Sequence, residues 1–312
     1  MRRALSILIL LPILTLLLAA CAPAADAGDD GRLNVVATTG QIGDAVRFIG
    51  GDAIVARTLL GPGIDPHTYV ATEGDLRTFQ RADVIFYNGL HLEAQLERVL
   101  EQIGQRSGTT VVALGDRLDE ARLLSWEPAS GFPHDPHIWN DVQLWKDVVA
   151  QIGATLAEVD PANAEQYRSN TQSYLAQLDE LDAYIRAESA RIPPERRVIV
   201  TAHDAFGYFA RAYGFEVEAI QGISTESEAA TADIQAIAQV VIEREVPAIF
   251  IESTISPRTI EAVQAAVRAA GREVELGGQL YSDALGAADG PAGTYIGMIR
   301  SNIDTLVAAL AQ

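Results

Sequence analysis

The histidines of this 312-residue chain are the residues best suited to chemistry, because there are only five and two of them share a motif. Asp65-Pro66-His67 and Asp135-Pro136-His137 each place a histidine directly after an Asp-Pro pair. Proline fixes its own φ and drives the preceding residue to an extended conformation, so each histidine follows a stiff turn. The aspartate is then within reach of the second ring N–H, as in histidines that bind metals. The repeated motif points to transition-metal ligands, against the alternative of two unrelated loop histidines.

Two further candidate ligands follow predicted strands in the second half of the chain. His203 follows the apolar run 198–201, and Asp283 follows the last predicted strand within residues 281–286. Parallel α/β sheets bind ligands outside the carboxyl ends of their strands, which is where both side chains are expected. Taken singly, His203 is equally consistent with an interior histidine and Asp283 with a helix cap.

Three other residues have roles that the sequence leaves open. His134 precedes His137 by three positions and is either an auxiliary ligand or a solvated loop histidine, of which the second is favoured. His91, which lies between two leucines, is expected to be structural. Glu252 ends the apolar run 248–251 and either orients a ligand imidazole or fixes the end of a strand.

Four segments of the chain resemble the metal-ligand segments of zinc/manganese-type ABC-transporter substrate-binding proteins. In order and spacing the resemblance extends over essentially the whole mature chain, through Gly63-Ile64-Asp65-Pro66-His67-Thr68-Tyr69, His134-Asp135-Pro136-His137-Ile138-Trp139, His203-Asp204-Ala205-Phe206-Gly207-Tyr208-Phe209 and Tyr281-Ser282-Asp283-Ala284-Leu285-Gly286. It implies an α/β fold of two lobes with parallel sheets covered by helices, joined by one long rigid helix. It also implies one metal in the cleft between the lobes, bound by one residue of each segment: His67, His137, His203 and Asp283.

The implied donor set, three imidazoles and one carboxylate, suits Zn²⁺ and also accepts Mn²⁺ if Asp283 binds through both oxygens. The family patterns that separate the two metals are incomplete in this chain. Manganese-selective members can carry a carboxylate at the third position, where this chain has His203. Zinc-specific members often carry a His-rich acidic loop before the second ligand, where this chain has only His134. Zinc and manganese therefore both remain candidate cargoes.

The same donor set separates binding from catalysis. A catalytic zinc site usually has three protein ligands and an open position for water, whereas four ligands are implied here. A surface metallohydrolase that uses the same histidines with Glu252 as general base is the alternative, but the chain has no His-Glu-x-x-His or Gly-x-Ser-x-Gly motif. An adhesin with a structural metal has no adhesive segment to support it. The resemblance implies a receptor, not an enzyme, that delivers metal to the permease of an ABC importer with its ATPase.

The elements that must position these residues are short apolar strands alternating with longer helical segments, which is typical of parallel sheets covered by helices. In the first half the sequence predicts strands at 33–37, 54–58, 84–87 and 110–113, with helices at 41–49, 72–81 and 92–103. In the second half it predicts strands at 197–201, 216–220, 248–252 and 273–276, with helices at 205–213, 231–245, 257–270 and 293–311. We therefore expect an N-terminal lobe over residues 32–160 and a C-terminal lobe over residues 192–312.

One long helix is predicted between the lobes, over residues 161–191. Asp160 and Pro161 suit the start of a helix, and Pro193-Pro194 ends it. Its apolar residues recur every three or four positions in one narrow stripe: Tyr167, Tyr174, Leu178, Leu181 and Ile185. The helix is expected to run along both lobes and to brace them.

The N-terminal 20 residues have the composition of an export signal, with two arginines before an apolar run that is shorter than the roughly 20 residues of a transmembrane helix. Leu18-Ala19-Ala20-Cys21 resembles the bacterial lipoprotein box, which implies cleavage before Cys21 and lipidation of its thiol. Residues 21–31 are expected to form a flexible tether. The expected location is extracytoplasmic, lipid-anchored to the bacterial membrane in the periplasm or on the outer face of the cell membrane.

The charge balance excludes one class of partner. The chain has 23 Lys and Arg against 42 Asp and Glu, a net charge of −19, and it has no basic run. Such a chain repels a phosphate backbone, so we expect no nucleic-acid partner.

Cys21 is the single cysteine, so no internal disulfide can form. We expect the protein to act as a monomer.

Overall fold

The computed structural model describes residues 31–105, 108–126 and 133–312. The predicted signal segment, Cys21 and the tether up to residue 30 lie outside these residues, so cleavage and lipidation remain predictions. None of the helices within the described ranges combines the length and the apolar composition needed to cross a bilayer.

The first half of the chain forms a parallel sheet with the strand order β2-β1-β3-β4. Its strands have the bounds predicted from their apolar runs: β1 (Leu33–Ala37), β2 (Ile54–Thr58), β3 (Val84–Tyr87) and β4 (Thr110–Ala113). The connecting helices agree with prediction to within two residues: α1 (Gly40–Gly50), α2 (Glu73–Gln80) and α3 (Ala94–Gly104). Thr72 begins α2 through a capping box with Asp75, which explains why the helix starts one residue later than predicted.

Two helices in the middle of the chain pack against each other, α4 (Val142–Val159) and α5 (Ala164–Ser189). The first of them was not predicted, although Asp141 caps it by accepting the Gln143 N–H. The second is the predicted long helix, and a one-turn helix over Pro161–Asn163 precedes it. Its predicted apolar stripe is buried and faces α1, α4 and the C-terminal helix.

The second half contains two pairs of parallel strands. The first strand of one pair lies next to the first strand of the other pair. The elements in chain order are β5 (Val198–His203), α6 (Gly207–Tyr213), β6 (Glu216–Gln221), α7 (Thr231–Glu243), β7 (Ala248–Glu252), α8 (Arg258–Ala269), β8 (Glu275–Leu280) and α9 (Tyr295–Leu310). Strand β8 lies later in the chain than the predicted 273–276. The prediction ended too early because the two glycines in the strand resemble a turn. At Gly277 a Cβ atom would approach Phe250 Cε1 to 2.6 Å, so β7 requires a glycine there.

The main hydrophobic core joins both halves of the chain. It includes residues of the first sheet, of α4 and α5, and of the C-terminal half, for example Val35, Trp145, Leu178, Phe209 and Ile303. Smaller clusters lie within each half. By backbone contacts, Leu33–Gln312 is one compact unit. The α/β class with parallel sheets and one long bracing helix is confirmed, and the lobe boundaries at residues 160 and 192 remain a prediction.

Candidate metal centre

Four side chains from four separate segments meet at one point. His67 lies in the loop between β2 and α2, His137 precedes a one-turn helix, His203 ends β5, and Asp283 follows β8. One ligand atom of each residue lies within 4.8 Å of the others, and all four residues are buried. Within the described ranges, no other set of three or more histidine, cysteine or acidic residues brings its ligand atoms so close. The structure thus assembles the residues singled out in the sequence.

The spacing of these atoms suits a common ion. His67 Nε2 lies 3.3 Å from His137 Nε2, and His203 Nε2 lies 3.2 Å from Asp283 Oδ2. The distance from His137 Nε2 to Asp283 Oδ1 is 3.5 Å, and that from His67 Nε2 to Asp283 Oδ2 is 3.9 Å. Ligands about 2.0–2.1 Å from a tetrahedral zinc ion lie about 3.3 Å from one another. Three of the separations, 3.2–3.5 Å, match the edge of such a tetrahedron, and all four ligand atoms lie within 4.8 Å of one another.

Several polar atoms of the cluster lack a hydrogen bond. Both carboxylate oxygens of Asp283 and the Nε2 atom of His203 are buried, and apart from the 3.2 Å contact between the two residues these atoms have no hydrogen-bond partner among the described residues. A buried polar atom without a partner typically costs about 1–3 kcal/mol. Imidazole nitrogen and carboxylate oxygen are both ligands of divalent transition metals, so a cation at this point would satisfy these atoms.

The two Asp-Pro-His motifs contact their histidines differently. Asp135 Oδ1 accepts the backbone N–H of His137 at 2.9 Å and lies 2.7 Å from the ring Nδ1. Asp65 Oδ1 accepts the backbone N–H of His67 at 2.9 Å, but its Oδ2 accepts the Thr225 hydroxyl at 2.6 Å. His67 Nδ1 has no hydrogen-bond partner in the described part of the chain. The prediction that the aspartate binds the ring is confirmed for His137 and wrong for His67.

Glu252 contacts His203 through both carboxylate oxygens. Its Oε1 accepts the His203 backbone N–H at 2.8 Å, and its Oε2 lies 2.6 Å from the ring Nδ1. The residue therefore does both things that the sequence left open. It ties the end of β7 to the end of β5, and it turns Nε2 of His203 toward Asp283.

The electrostatics of the cluster favour a cation. Burial lowers the pKa of His67 to about 3, so its imidazole is neutral. Burial also lowers the pKa of His203, but the carboxylates of Glu252 and Asp283 outweigh burial and hold that pKa well above its usual range. Burial raises the pKa of Asp283, but His203, His137 and His67 together hold that pKa well below its usual range. An ionised Asp283 thus faces a protonated His203, whose proton an incoming metal ion must displace.

A buried carboxylate that sequence reasoning missed supports the His137 segment. Glu93 accepts the backbone N–H groups of Asn88 and Gly89 and the hydroxyl of Thr38, at 2.8, 3.2 and 2.6 Å. The Asn88 side chain in turn donates to the carbonyl oxygen of Pro136 at 3.0 Å. Burial raises the pKa of Glu93 to about 7. A lone acidic residue among leucines was the available sequence signal.

His91 and His134 lie apart from the four ligands. They line a separate cavity of about 370 Å³ together with acidic residues. His91 Nδ1 lies 3.0 Å from Glu97 Oε2, and His134 Nε2 lies 3.5 Å from Glu120 Oε1. Neither histidine belongs to the cluster of ligand atoms. Neither histidine acts as an auxiliary ligand, but the His134 side chain is only 15% exposed, so it is not the solvated loop histidine that was predicted.

Residues 35–309 match the family described as zinc-uptake complex component A, periplasmic. The zinc-binding protein TroA of Treponema pallidum is 47% identical over 287 residues, which cover 92% of each chain. The manganese-binding lipoprotein MntA of Bacillus subtilis is 42% identical over 282 residues, which cover 90% of each chain. The solved structure of the periplasmic zinc-binding protein TroA gives a TM-score of 0.87 and covers 90% of this chain and 100% of that one.

Proposed function

This chain belongs to the periplasmic zinc-uptake component A family of metal ABC-transporter substrate-binding proteins, and we propose that His67, His137, His203 and Asp283 bind its metal cargo. The family consists of transport proteins that work with a permease and an ATPase, so the predicted receptor is confirmed. The chain is not an enzyme, and the metallohydrolase alternative has no support.

The convergence of four buried donor atoms carries the assignment of the site. The ligands come from four distant segments. Four of their separations are 3.2–3.9 Å and all four ligand atoms lie within 4.8 Å of one another, which leaves room for an ion at their centre. Four protein donors fill a tetrahedral shell, so they leave no position for the water molecule that a hydrolytic zinc site needs. Such a site captures an ion and later releases it unchanged.

The cargo is one divalent transition metal, Zn²⁺ or Mn²⁺. The relatives carry names for both metals, zinc-binding in one case and manganese-binding in the other. The affinity of a site with three nitrogen donors and one oxygen donor follows the general order for divalent metals, so the site holds Zn²⁺ more tightly than Mn²⁺. Tighter binding does not by itself decide which metal is delivered, because a tightly held ion must also be released.

The protein acts outside the cytoplasm as a lipid-anchored monomer. Relatives named as lipoproteins support an extracytoplasmic location, and Cys21 stands in the box where a lipid would be attached. Mass spectrometry of the N-terminus of the native protein tests the anchor: a diacylated Cys21 is expected. An intact Met1, or a cut elsewhere without lipid, contradicts it.

Metal binding is tested with protein stripped of metal by a chelator. Elemental analysis after zinc loading and calorimetry should both give one ion per chain, with Zn²⁺ displacing Mn²⁺ in competition. His203→Ala should lose tight binding, whereas His134→Ala, the matched control outside the cluster, should keep it. Full affinity in His203→Ala would remove the second half of the chain from the site and contradict the proposal.

A further inference from the structure

Three of the four ligands lie in a rigid frame of buried hydrogen bonds. The Trp139 indole N–H donates to the Ser282 carbonyl at 2.9 Å, which joins the segment of His137 to the segment of Asp283. The Asn140 side chain donates to the Ala205 carbonyl at 2.8 Å, and the Tyr208 hydroxyl donates to the Asp135 carbonyl at 2.8 Å. These bonds join the His137 segment to the chain that follows His203. His137, His203 and Asp283 are therefore fixed relative to one another.

The loop that carries His67 is bound differently. His67 is fully buried, but Ile64 and Val70 on either side of it are 40% and 68% exposed. Thr68, next to the ligand, is exposed as well. The His67 ring has no hydrogen-bond partner at Nδ1 among the residues that the structure describes. Because residues on both sides of His67 are exposed, this loop is the part of the centre that can move with least cost.

One short contact joins this loop to the other half of the chain. Thr225, in the segment between β6 and α7, donates its hydroxyl to Asp65 Oδ2 at 2.6 Å, across 160 positions of sequence. The other oxygen of the same carboxylate accepts the His67 backbone N–H. Next to Thr225, Glu226 accepts the side chain of Gln95 from α3 at 3.0 Å. The carboxylate of Asp65 thus connects the ligand backbone directly to the C-terminal half.

We propose that Thr225 is a positioning residue that holds His67 in the metal centre through Asp65, and that this contact sets how slowly the ion leaves. The inference rests on the proposed function, since it concerns release from the same site. Opening of the His67 loop would remove one ligand while the other three stay in their frame. A three-ligand site binds more weakly and exposes the ion to exchange. Breaking the Thr225–Asp65 hydrogen bond makes this opening more frequent.

The test compares Thr225→Val with Thr225→Ser in zinc-loaded protein. Valine keeps the shape of threonine and removes its hydroxyl, whereas serine keeps the hydroxyl. Zinc release is followed by stopped-flow mixing with excess chelator. Because Thr225→Val removes a hydrogen bond to a charged group, zinc release should accelerate about tenfold or more. Thr225→Ser should release zinc at nearly the wild-type rate, and so should Glu228→Gln, a matched control at an exposed residue of the same segment.

A double-mutant cycle separates this contact from general loosening of the loop. Asp65→Asn should accelerate release in the wild type but add little in the Thr225→Val background, because both changes remove the same contact. Equal release rates in Thr225→Val and wild type, or fully additive effects in the cycle, would overturn the inference. The proposed function would still stand if His203→Ala abolished tight binding. A wild-type protein that binds no zinc would instead refute the proposed function itself.

Discussion

The two Asp-Pro-His motifs have the same three residues and different structural roles. In both, the aspartate accepts the backbone N–H of the histidine two positions later at 2.9 Å. Around His137 the neighbouring residues are buried, and Asp135 also contacts the ring. Around His67 the loop is exposed, and Asp65 contacts Thr225 instead. The motif therefore determines the local turn, and the tertiary partner of the second oxygen determines how firmly the ring is held.

This difference suggests a division of labour within one metal site. His137, His203 and Asp283 form a preorganised half-shell, and each of the two histidines in it has a carboxylate beside its Nδ1. His67 completes the shell from a loop that the Thr225 hydroxyl joins to the opposite half through Asp65. Rapid capture and controlled release both follow if the mobile ligand closes last and opens first.

The largest effect is expected from removing the ligands themselves, which tests what the two motifs have in common. His137→Ala and His67→Ala should each weaken zinc binding by more than about 100-fold, because even the partners that orient ligands are commonly worth about 10–100-fold. Calorimetry with a competing chelator measures both. His91→Ala serves as the control outside the cluster. If either ligand variant bound zinc as tightly as wild type, that motif would have no part in the site.

Matched substitutions of the two aspartates sharpen the comparison. Asp135→Asn should weaken zinc affinity by about 10–100-fold, since it removes the charge that orients and polarises the His137 ring. Asp65→Asn should cost less affinity, and its loss should appear as faster release, because Asp65 contacts the His67 backbone and Thr225. Equilibrium competition and chelator-driven release, measured on both variants, separate the two effects. Equal losses of affinity would mean that the motifs are equivalent after all.

Much of the fold was predictable, and the exceptions have physical reasons. The strands of the first sheet were placed correctly because buried parallel strands appear as continuous apolar runs between turn residues. Strand β8 was misplaced because Gly277 and Gly278 resemble a turn, whereas the first of them is needed for close contact with β7. Helix α4 was overlooked although its signal was present, an Asp141 cap followed by buried residues at helical spacing.

The metal centre was predictable for its four ligands but not for their supports. The ligands stand in recognisable local contexts, and the sequence places two of them at strand ends. Thr225 reaches Asp65 from 160 positions away, and the Glu93 network acts through Asn88 on Pro136, across 48 positions. Such contacts depend on how the two halves pack, and no local pattern encodes them.

The pH dependence of binding distinguishes the histidines from each other. Burial lowers the pKa of His67 to about 3, so this residue has no proton to lose near neutral pH. The raised pKa of His203 means that its proton is present at neutral pH and leaves when metal binds. Affinity should therefore rise with pH between pH 6 and pH 8, by about tenfold per pH unit for one displaced proton. Calorimetry in buffers of different ionisation enthalpy counts the protons.

Two outcomes of that experiment are informative. In Glu252→Gln the pKa of His203 should fall, because a neighbouring charge is lost, and the proton release near neutral pH should decrease. Release of three protons per ion would mean that His67 is also charged in the metal-free site. That result would contradict the conclusion that burial keeps His67 neutral.

The smallest effect concerns Glu93, which supports the His137 side of the comparison. Its folded-state pKa of about 7 lies above the value for an unfolded chain, so protonation of Glu93 favours the folded state. Its contribution to stability is full below the unfolded pKa and is lost as pH rises toward 7. Denaturant unfolding of metal-free wild type and Glu93→Gln should differ by about 1 kcal/mol or more between pH 5 and pH 8, with wild type losing stability at the higher pH. A difference that does not change with pH would contradict the proposed titration.

X-ray absorption spectroscopy of the zinc-loaded protein tests the central claim most directly, that one ion is bound by ligands from all four segments. The spectrum should fit three imidazoles and one carboxylate at about 2.0–2.1 Å, with no sulfur. In His67→Ala the fit should fall to two imidazoles, while the carboxylate and the two remaining histidines keep their distances. A wild-type spectrum with fewer than three imidazoles, or an unchanged spectrum in His67→Ala, would contradict the account.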